Sequence, residues 1–102
     1  MVAWDASSVI ADSASFGADE TKTASAEGYH TPAVCVALED LEGNADDTLT
    51  IEFVGAAGTY RADQRTLSST DTYVVTVPQT DTVRVTSANG TTISAEARNN
   101  PR

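Results

Sequence analysis

A chain of 102 residues has enough material for one hydrophobic core and too little for two, so a single domain is expected. Fifteen acidic side chains face six basic ones, for a formal net charge of -9, which excludes the clustered Lys and Arg that binding to a phosphate backbone requires. No apolar run is long enough to cross a bilayer as a helix, and residues 1–15 carry neither a basic n-region nor a continuous apolar h-region, so neither a membrane nor an export route is expected.

Lys22 is the sole lysine, and alanine and threonine stand where bulky aliphatic residues are usual. Acid-rich, lysine-poor surfaces stay in solution when molar salt screens their self-repulsion, and they destabilise the compact state when the salt is removed. The composition therefore points to a halophilic source. Val, Ile, Leu and Phe make up just under a fifth of the residues, which with this charge borders on the composition of disordered chains. Their placement in alternating runs after residue 32 argues for a folded domain, because periodic placement lets a modest apolar content form one buried face.

In chain order, residues 1–30 are the least regular part, with Trp4, Val9, Ile10 and Phe16 isolated among Ala, Ser, Asp and Thr. They read as an N-terminal segment or arm, with room for one edge strand near residues 8–16, that orders mainly against another chain with Trp4 and Phe16 as anchors. Next, Val34, Val36 and Leu38 alternate with Cys35 and Ala37 up to the polar loop 39–47, and Leu49, Ile51 and Phe53 alternate with Thr48, Thr50 and Glu52 up to a glycine-bounded turn at 55–58. A weaker strand, with a helical turn as its rival, follows over 60–67. Tyr73, Val75 and Val77 share one face of a strand that Pro78 ends. Val83 and Val85 mark the next strand, and Asn89-Gly90 signals a type I′ hairpin into Ile93, Ala95 and Ala97, so the last three strands are expected to form an antiparallel meander. The fold class is all-β, a single small antiparallel β-sandwich or barrel of about seven strands with its core over residues 31–98 and a frayed tail over 99–102. The expected core is Val34, Val36, Leu38, Leu49, Ile51, Phe53, Tyr73, Val75, Val77, Val83, Val85 and Ile93.

Few residues carry chemistry. His30 and Cys35 are the only histidine and cysteine, and Cys35 sits mid-strand among valines, so they read as structural rather than as a nucleophile–base pair. No catalytic residue and no organic cofactor is expected. The loop 39–47 gathers carboxylates around Gly43 and Asn44. Asp40, Glu42, Asp46 and Asp47 are its candidate oxygen ligands for a structural Ca²⁺ or Mg²⁺ ion, although their spacing is not that of an EF-hand and a solvated acidic loop is the plainer reading. Asn89-Gly90-Thr91 satisfies a glycosylation sequon but is equally a turn sequence. Arg61 and Arg65 are candidate partner contacts, since arginine is favoured at protein interfaces.

The succession SASFGADETKTAS, AVCVALED, TLTIEFVG, GTYRADQ and DTYVVTVPQTDTVRVTSANGTTISAEA resembles small accessory structural proteins of tailed viruses, with TVRVTSANGTTISAEA similar to a closing hairpin. The resemblance spans most of the chain and has no invariant motif. It implies a non-enzymatic β-sandwich on a virion head or tail, a capsid decoration, turret or minor tail component, assembled in the cytoplasm of a haloarchaeal host and bound to neighbouring coat proteins and to copies of itself. The alternative is a carbohydrate- or protein-binding module of a halophilic organism.

Charge and core size together make a salt prediction. The screening length is about 3 Å at 1 M salt and about 30 Å at 0.01 M, so the excess carboxylates repel one another across the whole domain only at low salt. Thermal melts over that range are expected to show a midpoint that climbs with salt; a midpoint that stays put removes the salt-adaptation argument.

Overall fold

In the computed structural model, which describes residues 6–99, the alternating runs become strands and the gaps between them become crossings from one sheet to another. There are eight strands: β1 Ser7–Ser15, β2 Glu20–Ser25, β3 Pro32–Asp40, β4 Asp47–Gly55, β5 Gly58–Leu67, β6 Asp71–Thr76, β7 Thr82–Ser87 and β8 Thr92–Asn99. They form two four-stranded sheets, ordered β1-β8-β3-β6 and β2-β7-β4-β5, in which every pairing is antiparallel. No helix occurs among the described residues. The protein is a small β-sandwich.

The first strand pairs with the last and the second with the seventh, the third with the sixth and the fourth with the fifth. This is the double Greek key of an eight-stranded jelly roll. Only β4 and β5 follow each other within one sheet, through the two-residue turn Ala56-Ala57 between the paired Gly55 and Gly58. Every other link changes sheet, so most strands hydrogen-bond to partners far away in sequence, and β1 and β2 close the sandwich onto β8 and β7.

Three expectations are corrected. Residues 7–25 are not an arm but supply one edge strand to each sheet, with Ile10, Ala11 and Phe16 in the core. Register shifts between Val9 and Ala11 and between Ala11 and Ala14 break the alternation, and each shift moves later side chains to the other face. Asn89-Gly90 does not make a hairpin, because β7 and β8 lie in opposite sheets. Val83 and Val85 therefore face Ile93, Ala95 and Ala97 across the sandwich instead of beside them, and the alternation is the same in either case. Asn99 does not fray: it ends β8, is 3 % exposed, and its Oδ1 accepts hydrogen bonds from the backbone N–H groups of His30 at 3.1 Å and Thr31 at 3.4 Å. The segment 63–67 lies within β5 and is strand.

The core between the sheets contains Val34, Val36, Leu38, Leu49, Ile51, Val75, Val77, Val83, Val85 and Ile93, all as expected. The sequence reading left out Ile10, Ala11, Phe16, Ala26 and Tyr29. Phe53 and Tyr73 are only partly buried and pack at its margin, with Phe53 stacked on Tyr60 at a centroid distance of 5.6 Å.

Because Ile51 is fully buried, Ile51→Ala should lower unfolding stability by about 2–5 kcal/mol, whereas Phe53→Ala should cost less than the roughly 3–5 kcal/mol of a fully buried phenylalanine. Denaturant titration of the two variants checks the order. Deleting residues 6–25 strips an edge from both sheets and should abolish cooperative unfolding; a truncated chain that still melts sharply would restore the arm.

Candidate functional site

At one end of the sandwich, the links β1–β2, β3–β4 and β7–β8 meet around one carboxylate. Asp47 is 0 % exposed. Its Oδ1 accepts the backbone N–H of Asn89 at 2.8 Å, and its Oδ2 accepts the hydroxyls of Thr91 at 2.8 Å and of Ser87. Ser87 Oγ in turn accepts the N–H of Gly90 at 3.0 Å, while Asn89 Nδ2 donates to the carbonyl of Asp46 at 2.8 Å and Asn44 Nδ2 to that of Gly90 at 3.0 Å. Phe16 N–H joins the carbonyl of Thr91 at 2.9 Å. Gly90 has φ +89°, and a Cβ there would lie 2.9 Å from the Phe16 carbonyl oxygen, so both backbone angle and close approach require glycine.

This geometry accounts for the candidate cation ligands. Asp47 accepts three protein hydrogen bonds inside the sandwich and works as a buried anchor. Asp40 Oδ1 accepts the Glu42 N–H at 2.8 Å, Glu42 accepts the Thr92 hydroxyl, and Asp46 turns towards Asn89. Among the described residues no three His, Cys, Asp or Glu side chains are gathered where they could hold a metal ion.

At the seam where β5 faces β6 across the two sheets, the Arg65 guanidinium lies 3.9 Å from the Tyr73 ring centroid and its Nε donates to Asp63 at 2.9 Å. The Asp63 hydrogen bond raises the Arg65 pKa further above its ordinary value, so Arg65 stays a cation clamped over an aromatic face. The Tyr73 hydroxyl is buried with no hydrogen-bond partner among the described residues, and burial pushes its pKa up to about 12.

The outward faces of the two sheets differ in kind. On the second sheet the outward residues include Thr21, Thr23, Thr48, Thr50, Thr66 and Thr86, with Thr21–Thr86 at 2.6 Å and Thr48–Thr66 at 2.8 Å. One cross-strand row there reads Thr23, Arg84, Glu52, Arg61, with Arg84 Nε 3.8 Å from Glu52 and Arg61 donating to Gln64 at 3.0 Å. Thr50, Glu52, Thr59, Arg61, Gln64 and Thr86 line a shallow polar groove of about 510 Å³.

On the first sheet the middle row reads Val9, Glu96, Cys35, Val74. Val9 is 66 % and Val74 60 % exposed. On β3 the outward positions are Ala33, Cys35, Ala37 and Glu39, and a shallow depression of about 340 Å³ beside Val9 runs over Cys35 and Ala37 between Asp12, Ser94, Glu96 and Thr72. The Cys35 thiol is half-buried, and desolvation, reinforced by Glu96, raises its pKa.

No known family, curated protein or solved structure matches this chain. What the chain offers a ligand or partner is therefore read from these surfaces alone.

Of the expected partner contacts, Arg61 is exposed on the polar groove and Arg65 is committed to Tyr73 and Asp63. Phe16 is 5 % exposed, with Lys22 Nζ 5.2 Å from its ring centroid, so it serves the core and not a partner. Trp4 lies outside the described residues. Sequence reasoning missed Val9 and Val74 as surface residues. Val74 carried a signal, since it stands out of phase with Tyr73 and Val75 and so must point away from the core.

Removing the Asp47 carboxylate leaves the Asn89 amide and two hydroxyls without their acceptor, so Asp47→Ala should cost about 3 kcal/mol or more, with Asp47→Asn between it and the parent in a urea titration. Tyr73 gives a second test. Its folded pKa lies above its unfolded value of about 10, so the stability it contributes is fully present below pH about 10 and is lost as pH rises through about 12. In an ultraviolet titration Tyr73→Phe should remove phenolate absorbance that the parent gains around pH 12, and it should keep stability at neutral pH while flattening the alkaline loss. Absorbance that the substitution removes near pH 10 instead would contradict this environment.

Proposed function

We propose that this chain is a non-enzymatic structural protein of a virion, a capsid decoration, turret or minor tail component, that binds neighbouring coat proteins and itself and is assembled in the host cytoplasm. The outward face of the first sheet carries the reading. An antiparallel sheet with one face in water places polar residues outward, yet here β3 turns Ala33, Cys35 and Ala37 outward ahead of Glu39, and the edge strands β1 and β6 carry the exposed Val9 and Val74, with the polar outward residues of β8 between β1 and β3. Apolar surface of this kind marks an interaction site.

The topology supports the same reading without deciding it, because eight-stranded jelly rolls serve as viral capsid domains and also as lectins. The acidic, lysine-poor composition is that of a chain working in high salt, in keeping with a tailed virus of a haloarchaeal host. An antibody against the chain should label particles released from the source cells, and the chain should sediment with them. Unlabelled particles, with all of the antigen left in the unsedimented fraction, would overturn the proposal.

The polar groove on the second sheet favours a second reading, a carbohydrate-binding module, because threonine hydroxyls, Gln64 and Arg61 there offer donors and acceptors to a polyol. Saturable glycan binding that Arg61→Ala removes would favour this reading over the virion one.

A further inference from the structure

We propose that the outward face of the first sheet seats a second copy of this chain, packed face to face about a two-fold axis; this rests on the assembly reading above and specifies one of its contacts. Three outward rows build the face: Ser7, Arg98, Ala33, Thr76; then Val9, Glu96, Cys35, Val74; then Ser94, Ala37, Thr72. The exposed valines and Cys35 share the middle row with Glu96, while hydroxyl residues stand at both ends of the face.

Area and charge select the occupant. Four strands about 4.8 Å apart, six to nine residues long at about 3.3 Å per residue, cover roughly 500 Å² in projection, of the same order as the roughly 800 Å² per partner of a standard interface. The face is therefore large enough for a reversible dimer. Its central charges are Glu96 and Arg98, two positions apart on β8, already 3.4 Å from each other with side chains 40 % and 52 % exposed. A copy laid antiparallel over β8 brings each Glu96 to the other copy's Arg98, so the pair is its own complement, as an isologous contact demands. Because Glu96 and Arg98 cancel, the centre of the face offers no net charge to attract a strongly basic or acidic foreign surface. Sheets stacked in this way lie about 10 Å apart with aligned strands, so β1 of one copy lies over β1 of the other and β6 over β6, and Val9 and Val74 of each copy are covered by those strands.

Asp12 and Glu39 stand at the margin of the face, and the whole chain carries a net charge of -9, so salt should tighten the dimer. The chain's sole cysteine lies in the middle row and reports on the contact.

Sedimentation equilibrium of the full chain, over a range of concentrations at low and molar salt, tests the proposal. The parent should dimerise reversibly and more tightly in salt, and the rate of Cys35 alkylation by iodoacetamide should fall as the dimer fills. Val74→Arg and, independently, Val9→Asp should weaken association by about tenfold or more, with the far-ultraviolet circular dichroism and melt of a folded domain, and should restore fast alkylation. Val54→Arg, at the tip of the other sheet, should leave association unchanged. A parent that stays monomeric at every salt and concentration, or a dimer that survives both substitutions with Cys35 alkylated at the monomer rate, would overturn it. The particle-labelling result is separate: labelled particles with a monomeric free chain defeat this contact alone, and a face-to-face dimer with unlabelled particles defeats the virion reading alone.

Discussion

A fully buried carboxylate, Asp47, holds together the links on which the topology depends. A jelly roll moves the chain between sheets at nearly every connection, and each crossing leaves backbone groups that no strand ladder can satisfy. Asp47 begins β4, yet its two oxygens answer Asn89, Ser87 and Thr91 on the β7–β8 link, and Thr91 in turn receives Phe16 from the end of β1. One anion thus ties three crossings into a single corner, where its burial is offset by hydrogen bonds to charge, which are stronger than neutral ones. An apolar residue at 47 could fill the space but not align the donors. The opposite end is tied by the Asn99 side chain to the start of β3, so β8 is held at both ends and sits between β1 and β3 as the central element of the first sheet.

With both ends tied, the two outward faces are free to differ. The second sheet presents threonines whose hydroxyls pair across strands, together with a row of alternating charge; its methyl groups and polar tips suit a face in water. The first presents small residues on β3, Ser94, Glu96 and Arg98 on β8, and one exposed valine on each edge strand, β1 and β6. The sandwich itself gains nothing from Val9 and Val74, since both point away from the core. Their burial against another surface would add to stability by mass action, which matters to a chain whose own apolar content is low and whose charges repel. On the function proposed above, the acidic composition, the small core and the exposed valines would belong to one arrangement, in which salt or a neighbour adds to the stability of the folded chain.

The sequence made the centre of the fold legible and its edges obscure, for one physical reason. Alternation survives where a strand runs unbroken, so Val34, Val36 and Leu38, Leu49 and Ile51, and Val83 and Val85 could be assigned to one buried face. In β1 two register shifts interrupt the alternation, and Ile10, Ala11 and Phe16 looked scattered although all three are buried. Alternation also says which residues face inward without saying which sheet they face inward from, and so Asn89-Gly90, a sound hairpin signal for neighbouring strands, was misleading at a crossing. The acidic loop was legible as chemistry but not as geometry: four carboxylates in eight residues suggest a cation, and only the fold shows Asp47 turned inside among hydroxyls. Val74 could have been placed on the surface from its phase alone, whereas Val9 could not, because the phase of β1 is lost one residue later.

Hydroxyl-radical footprinting of the native assembly tests most directly the claim that the first sheet is the working face and the second the solvated one, because it reads side-chain access at single residues. Relative to the free chain at the same salt, Val9, Cys35 and Val74 should be strongly protected while Val54 and Tyr60 keep their reactivity. Protection of Val54 and Tyr60 with Val9, Cys35 and Val74 still open would put the interface on the opposite sheet and contradict the account.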